Sequence, residues 1–334
     1  MRVGSTDTPP TLGEHLRSRE SPGSRLRPDL VRVLESFADA GARLAREIAR
    51  APLTEGLGET GDVNPHGDRV RRLDVRANDL LLRALRDSGA VSIVASEELP
   101  TPVVWPHEGR EGLSVCLDPL DGSLNTDVAG VVGTIFGIRP GPKARASDPA
   151  RAVLGPGTGQ IAAGYLVYGP ATVFVYAADA RVHAFVHDPA DGSFRLTRSG
   201  MRAPTAGRTY AVNDANWPHW GPAPRALVER LRMARRGDVP YALRYSGALV
   251  ADFHRTLLEG GLYLYPPDTG RPDGRIRLLY EAAPLALVAE AAGARASTGR
   301  ARILDVVATD YHQHTPLYIG SAEEVTWAER SHQE

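Results

Sequence analysis

The 334-residue chain contains one cysteine, Cys116, so it can form neither an intrachain disulfide nor a cysteine-based zinc site. It has no apolar run long enough to cross a bilayer and no secretory hydrophobic segment. Its formal net charge is only −1, which leaves no basic field to hold nucleic acid or an anionic membrane. These absences predict a cytoplasmic protein that binds neither.

Lysine is almost missing as well, because Lys143 is the only one among 39 basic residues. Any cationic side chain that holds a phosphate in this protein is therefore expected to be an arginine, whose planar guanidinium offers paired donors.

The length and the 42% hydrophobic content allow one large domain or two subdomains. Residues 1–27 are polar and rich in Pro, Ser and Arg, and we interpret them as a disordered arm. We expect an N-terminal subdomain over 28–200 and a C-terminal one over 201–330, with strands near 261–266 and 275–280 in the C-terminal one. Long helical patterns alternate with strand-like runs, which predicts a layered α/β or α+β architecture.

The N-terminal half begins with two amphipathic helical patterns. Leu30, Leu34, Phe37 and Leu44 recur on one face of the first, and Gly41 fills the gap, either weakening the helix or marking a close contact. The second pattern runs from about residue 69 to 88. The intervening glycine-rich stretch is long enough for a mobile lid.

Acidic residues follow two apolar runs. Glu97 and Glu98 follow "AVSIVAS", and Asp118 and Asp121 close "LSVCLDPLD". If the two strands are neighbours, four carboxylates meet at one sheet edge and repel one another. Hard divalent cations such as Mg²⁺ or Mn²⁺ would neutralise such a set of oxygen ligands.

Gly122 and Ser123 follow immediately, and their consecutive N–H groups could bind phosphate oxygens. A metal-binding cluster beside an anion-binding turn indicates phosphoryl chemistry. The sequence has no P-loop and no kinase-type glycine loop, which favours water as the acceptor and predicts a phosphatase.

Several motifs then occur in an order that resembles the class I fructose-1,6-bisphosphatases of the lithium-sensitive, Mg²⁺-dependent sugar-phosphatase superfamily. They include "SEE", "DPLDGS", "VGTIFGI", "RYSGALVADFHRTL" and "RLLYEAAPLALVAEAAG". The resemblance covers residues 28 to 325. It implies stacked α-β-α-β-α layers in two subdomains, and hydrolysis of the 1-phosphate of a sugar bisphosphate with two or three Mg²⁺ ions (or Mn²⁺) per subunit.

The resemblance also implies roles for individual residues. The metal ligands would be Glu97, Asp118, Asp121, Glu281, Asp68 and the carbonyl oxygen of Leu120. The residues implied for catalysis are Glu97, Glu98, Asp68 and Asp74, of which Glu98 and Asp74 would orient or deprotonate the attacking water. The substrate-binding set would comprise Gly122, Ser123, Asn213, Arg244, Tyr245, Tyr265, Arg275 and Arg277. Arg244 would be donated across a subunit interface, which implies at least a dimer and most often a homotetramer.

The chain departs from the family pattern at the distal end of the substrate. Ala215 stands where the family has glycine, and Arg275 replaces a lysine that touches the sugar phosphate. The resemblance implies fructose 1,6-bisphosphate as the first substrate to expect. Because of these departures, sedoheptulose 1,7-bisphosphate or a sugar phosphate of a secondary pathway is an alternative. A catalytically silent sugar-phosphate sensor is a further alternative, although the acidic set is complete.

Overall fold

The computed structural model describes residues 8–18, 26–54, 56–63, 69–105, 112–142 and 148–333. The helices in these ranges are α1 Leu12–Ser18, α2 Pro28–Arg50, α3 Arg72–Asp87, α4 Pro222–Met233, α5 Leu249–Glu259, α6 Ala283–Ala291 and α7 Ala322–Ser331. No helix in the described part of the chain is both long and apolar enough to span a membrane.

The strands fall into two groups along the chain. Before residue 200 they are β1 Glu59–Val63, β2 Arg69–Arg71, β3 Val91–Ser96, β4 Val103–Val104, β5 Leu113–Asp121, β6 Val132–Pro140, β7 Gly155–Pro156, β8 Ala162–Tyr168, β9 Thr172–Ala178, β10 Arg181–His187 and β11 Phe194–Ser199. After it they are β12 Thr209–Ala211, β13 Arg235–Arg236, β14 Val239–Pro240, β15 Ala242–Leu243, β16 Leu262–Tyr265, β17 Ile276–Arg277, β18 Arg295–Ser297, β19 Val307–Ala308, β20 His314–Thr315 and β21 Leu317–Gly320.

Two sheets organise the molecule. The larger sheet has the order β11-β10-β9-β8-β6-β5-β3-β4 and is antiparallel except for the parallel pair β3 and β5. The smaller sheet has the order β15-β12-β16-β21-β18. Because β3 and β5 run in parallel, both strands deliver their carboxyl ends to the same edge of the larger sheet.

The helices form three layers around these sheets. Helices α1 to α3 cover one face of the larger sheet, and α5 and α6 pack between the two sheets. Helices α4 and α7 cover the outer face of the smaller sheet. The predicted α-β-α-β-α stacking is therefore confirmed.

Three sequence expectations need correction. The prediction of a disordered arm is wrong for Leu12–Ser18, which form a helix. Leu12 and Leu16 of this helix are buried in the core, and His15 Nε2 is hydrogen-bonded to the Tyr176 hydroxyl at 3.0 Å. Residues 69–71 form a strand paired with β1, so the second helix starts only at Arg72. The expected strand over 275–280 is extended only at Ile276–Arg277, and Leu278–Ala282 form a π-helical turn.

Gly41 marks a close contact between α2 and the larger sheet. A Cβ atom at this position would lie 2.1 Å from Cδ2 of Leu166 on β8, whose side chain is fully buried. Of the two sequence interpretations of this glycine, the close contact is the one that the structure supports.

Gly41→Ala should therefore destabilise the protein, although helix propensity alone favours alanine by about 1 kcal/mol. Overpacking against Leu166 should outweigh that gain and give a net loss of about 1–3 kcal/mol in the free energy of unfolding. Urea denaturation measures this loss. Gly13→Ala on α1 is the matched control, since its Cβ would meet only flexible side-chain ends at 3.3 Å. A Gly41→Ala variant as stable as Gly13→Ala would contradict the packing argument.

Candidate active site

The parallel pairing of β3 and β5 brings the two predicted acidic segments together. Ser96 is opposite Leu117, and the N–H group of Glu97 donates to the Leu117 carbonyl oxygen at 3.1 Å. Glu97 therefore lies beside Asp118 at the end of the neighbouring strand. The sequence hypothesis that these strands are neighbours is confirmed.

Three buried carboxylates form the centre of the cluster. Asp118, Asp121 and Glu281 each offer an oxygen within 4.8 Å of the others. Glu281 comes from the π-helical turn, where the backbone N–H group of Arg277 donates to its Oε2 at 2.5 Å. Asp121 accepts a 2.7 Å hydrogen bond from the N–H group of Val250, in the first turn of α5.

The environment of this cluster opposes full ionisation. Burial raises the pKa of Asp118 well above its usual value, and the nearby Glu97, Asp121, Glu281 and Glu98 raise it further. Burial likewise raises the pKa of Asp121 to about 7 and that of Glu281 well above its usual value. Crowded carboxylates with these properties fit a hard divalent cation, which prefers oxygen ligands and neutralises their repulsion.

The remaining predicted ligands surround this centre. The partly buried Glu97 and Glu98 follow β3 directly, and both raise the pKa of Asp118. The N–H group of Leu120 donates to Asp118 Oδ1 at 2.9 Å, which fixes the backbone whose carbonyl oxygen is a predicted ligand. Asp68 lies outside the described residues.

Arg277, which the resemblance assigns to substrate binding, also lies at this cluster. Its Nε donates to Glu97 Oε1 at 3.1 Å, its guanidinium contacts His314, and the residue is 5% exposed. Pairing of β17 with β20 sets Arg277 opposite His314 and so directs the side chain toward Glu97. The sequence motif gave no information on this pairing.

Asp74 lies in the first turn of α3, next to the turn at Gly122 and Ser123. It is buried, and its Oδ1 has no hydrogen-bond partner among the described residues. Burial raises the pKa of Asp74 to about 6, although hydrogen bonds from Ser123 and Arg71 act in the opposite direction. A carboxylate with this pKa and a free oxygen can accept a proton near neutral pH.

Gly122 starts the 3₁₀ turn Ser123–Val128 in a conformation that favours glycine. Its φ is +76°, and a Cβ atom there would lie 2.4 Å from the Cβ of Ala248. The first N–H groups of this turn have no partner within the turn, so an anion can approach them.

The predicted distal residues converge at the ends of three parallel strands. β12 pairs in parallel with both β15 and β16. Asn213 follows β12, Arg244 and Tyr245 follow β15, and Tyr265 ends β16. The pKa of Tyr245 rises to about 12 through burial and the nearby Tyr265, Asp252 and Asp121. The two tyrosines therefore lie at the carboxyl ends of the two strands that flank β12.

The two remaining arginines differ in their surroundings. Arg244 is exposed, and its Nη1 reaches only the Leu243 carbonyl oxygen, at 3.1 Å, within the described residues. Arg275 is bound by Asp268, whose Oδ2 accepts from Nε at 3.3 Å and from Nη2 at 3.1 Å.

Sequence reasoning missed two charged pairs at the site. Asp268 pairs with Arg275, and the turn-forming sequence "PPDTG" was the available signal for it. Arg71 forms an ion pair with Asp127, which ties the start of α3 to the 3₁₀ turn. No local pattern indicates this second pair, because the partners are 56 residues apart.

The raised carboxylate pKa values predict how the metal-free protein responds to pH. For Asp121 the folded pKa is about 7 against an ordinary value of 3.8, so between these values the folded state binds more protons than the unfolded state. Stability should therefore fall as the pH rises through this window. Added Mg²⁺ should raise the melting temperature more at about pH 8 than at about pH 5, since it binds the ionised cluster.

Thermal unfolding with and without Mg²⁺ measures this difference, and Asp121→Asn should reduce it. Asp305→Asn is the control. Asp305 is an exposed carboxylate that pairs with Arg302, so its substitution should leave the Mg²⁺ effect on the melting temperature unchanged. An Mg²⁺ effect of equal size at both pH values would show that the cation does not bind these carboxylates.

Comparisons with known proteins agree with this geometry. Residues 11–199 match the family model of the fructose-1-6-bisphosphatase N-terminal domain, and residues 203–333 match that of the C-terminal domain. The class 1 fructose-1,6-bisphosphatase of Nostoc punctiforme is 43% identical over 96% of this chain and 91% of its own length. That of Synechocystis is 41% identical over the same shares of the two chains.

Solved structures give the same result. The holo form of Leishmania major fructose-1,6-bisphosphatase matches with a TM-score of 0.91 and 34% identity, covering 98% of this chain and all of that one. Its T-state structure matches with a TM-score of 0.86. The chain belongs to the class 1 fructose-1,6-bisphosphatase family.

Proposed function

We propose that this protein hydrolyses the 1-phosphate of fructose 1,6-bisphosphate, giving fructose 6-phosphate and inorganic phosphate. The observation that carries the proposal is the buried set of Asp118, Asp121 and Glu281 beside the turn at Gly122 and Ser123. A divalent-cation site next to an anion-binding turn suits attack of water on a phosphate ester. The choice of fructose 1,6-bisphosphate as the substrate rests on the names of the related proteins.

Each group of residues has its own proposed role in binding or catalysis. The N–H groups at Gly122 and Ser123 hold the scissile phosphate. Two or three Mg²⁺ ions, which Mn²⁺ could replace, would be held by Glu97, Asp118, Asp121, Glu281, Asp68 and the Leu120 carbonyl. When bound, the ions would supply charge neutralisation and lower the pKa of water. Asp74 and Glu98 orient the attacking water and accept its proton, for which the pKa of Asp74, about 6, is suitable.

The distal end binds the sugar and the second phosphate. Asn213, Tyr245, Tyr265 and Arg275 contribute from within the subunit, and Arg277, which donates to Glu97, contributes from the side of the acidic cluster. Arg244 reaches the neighbouring subunit, which requires at least a dimer, and we propose a homotetramer in the cytoplasm. The exposure of the Arg244 side chain and its lack of an acidic partner among the described residues support this role.

A panel of sugar bisphosphates, assayed with and without Mg²⁺ by phosphate release, tests the proposal. Fructose 1,6-bisphosphate should give the highest kcat/KM, and activity should require the cation. Sedoheptulose 1,7-bisphosphate is the second candidate, because Ala215 and the Asp268-bound Arg275 alter the distal end. Binding without phosphate release for every member of the panel would indicate a sensor rather than an enzyme.

Two substitutions test the catalytic assignments. Asp118→Asn should lower kcat by about 100-fold or more, because it removes charge that holds the cation. Asp74→Asn should lower kcat by about 10²–10⁴-fold, since an amide cannot accept the proton. Steady-state kinetics measures both effects. Asp79→Asn, an exposed acid on the same helix as Asp74, is the control and should behave as wild type. A near-normal kcat for Asp118→Asn would remove the cation-based mechanism.

Arg244→Ala tests the contribution across the interface. It should mainly raise KM for fructose 1,6-bisphosphate by about tenfold or more, because the distal phosphate supplies binding that is uniform along the reaction. Mixed oligomers of Arg244→Ala and Asp118→Asn subunits provide the sharper measurement. An Arg244→Ala subunit with an intact cluster should recover a low KM when its neighbour supplies Arg244. If mixing leaves KM high, the arginine acts within its own subunit.

A further inference from the structure

The loop between Tyr265 and Arg277 connects the two ends of the proposed site. It leaves β16 at Tyr265, which belongs to the distal group, and enters β17 just before Arg277, which contacts the acidic cluster. Asp268 and Arg275 lie within this loop. A contact that fixes the conformation of this loop therefore affects the part of the proposed site between the acidic cluster and the distal group.

Asp268 accepts hydrogen bonds through both of its carboxylate oxygens. Its Oδ1 accepts from the N–H groups of Gly270 at 2.9 Å and Arg271 at 2.8 Å, which closes a tight turn. Its Oδ2 accepts from Nε and Nη2 of Arg275. The N–H group of Thr269 donates to the His219 carbonyl oxygen at 3.0 Å, so the turn is attached to the 3₁₀ segment Asp214–His219 that follows Asn213.

The two members of the pair differ sharply in exposure. The Asp268 side chain is 5% exposed and the Arg275 side chain is 39% exposed. Burial alone would raise the pKa of Asp268, but hydrogen bonds from Arg275 and Gly270 lower it below its usual value, so the carboxylate is ionised. Nη1 of Arg275 has no hydrogen-bond partner among the described residues. The carboxylate thus holds the guanidinium from the buried side and leaves donors on its open side.

We infer that Asp268 is a positioning residue that orients the Arg275 guanidinium toward the distal phosphate of the substrate. The inference rests on the proposed function and extends it to the selectivity for a second anionic group. An unrestrained arginine loses side-chain freedom when it binds a phosphate, and two bonds to a buried carboxylate fix the planar fork beforehand. The chain uses arginine here instead of lysine, and a fork, unlike a point charge, gains from a fixed orientation.

Asp268 also has an electrostatic effect that opposes its positioning role. Its negative charge repels a phosphate, so removing it could also strengthen binding. The Arg275 side chain is more than a third exposed, and water screens charges strongly there. Loss of orientation should therefore exceed the gain from removing the charge.

Asp268→Asn is the first test, measured by phosphate release. It should raise KM for fructose 1,6-bisphosphate by about tenfold with kcat nearly unchanged, since it weakens two charge-assisted hydrogen bonds. With fructose 1-phosphate, which has no distal phosphate, the variant should match wild type. In an Arg275→Ala background the same substitution should have no further effect, because Asp268 acts through Arg275.

Asp268→Ser guards against a folding defect in the first variant. The serine hydroxyl can accept from the turn N–H groups but cannot reach Arg275, so the turn is kept and the orientation is lost. It should show the same KM increase, again confined to the bisphosphate.

Three outcomes would overturn the inference. They are a fall in KM for the bisphosphate, an equal KM increase for fructose 1-phosphate, and an effect that persists in the Arg275→Ala background. These results concern Asp268 alone as long as the wild-type protein hydrolyses the bisphosphate. A wild-type protein that releases no phosphate from any bisphosphate would instead contradict the proposed function.

Discussion

Repulsion among buried carboxylates is the constraint on which the site depends. The parallel register of β3 and β5 sets Glu97 beside Asp118, and the π-helical turn adds Glu281 to the same space. Hydrogen bonds from Val250 and Leu120 fix individual oxygens but do not remove the net charge. Such a site favours cation binding, because a bound divalent ion would neutralise the repulsion among carboxylates that folding brings together.

Helix α5 couples the two ends of the site. Its first turn donates to Asp121 through the N–H group of Val250, and Ala248, just before it, contacts the position of Gly122. The buried Asp252 on the same helix accepts from the N–H group of Ser246, which follows Tyr245 directly. One helix thus contacts the acidic cluster, the turn at Gly122 and the segment that follows Tyr245.

The sequence predicted the elements of this site better than their contacts. The ends of apolar runs located Glu97 and Asp118, because strand periodicity and burial are local properties of the chain. The π-helical turn that carries Glu281 was not predicted, since an extended run and a tight turn of buried apolar residues have the same composition. The arm before residue 28 was also misinterpreted, because Leu12 and Leu16 give too short a pattern to indicate a docked helix.

The two arginines that precede Glu281 show how contacts outside the local pattern separate residues that the sequence groups together. Arg275 and Arg277 are two residues apart in the same motif, and the sequence assigned both to the substrate. Their carboxylate partners separate them, because Glu97 holds Arg277 and Asp268 holds Arg275. Arg277 is buried and neutralises part of the acidic cluster, whereas Arg275 remains accessible. In a chain whose cationic side chains are almost all arginines, the carboxylate partner of each guanidinium therefore distinguishes residues that carry the same side chain.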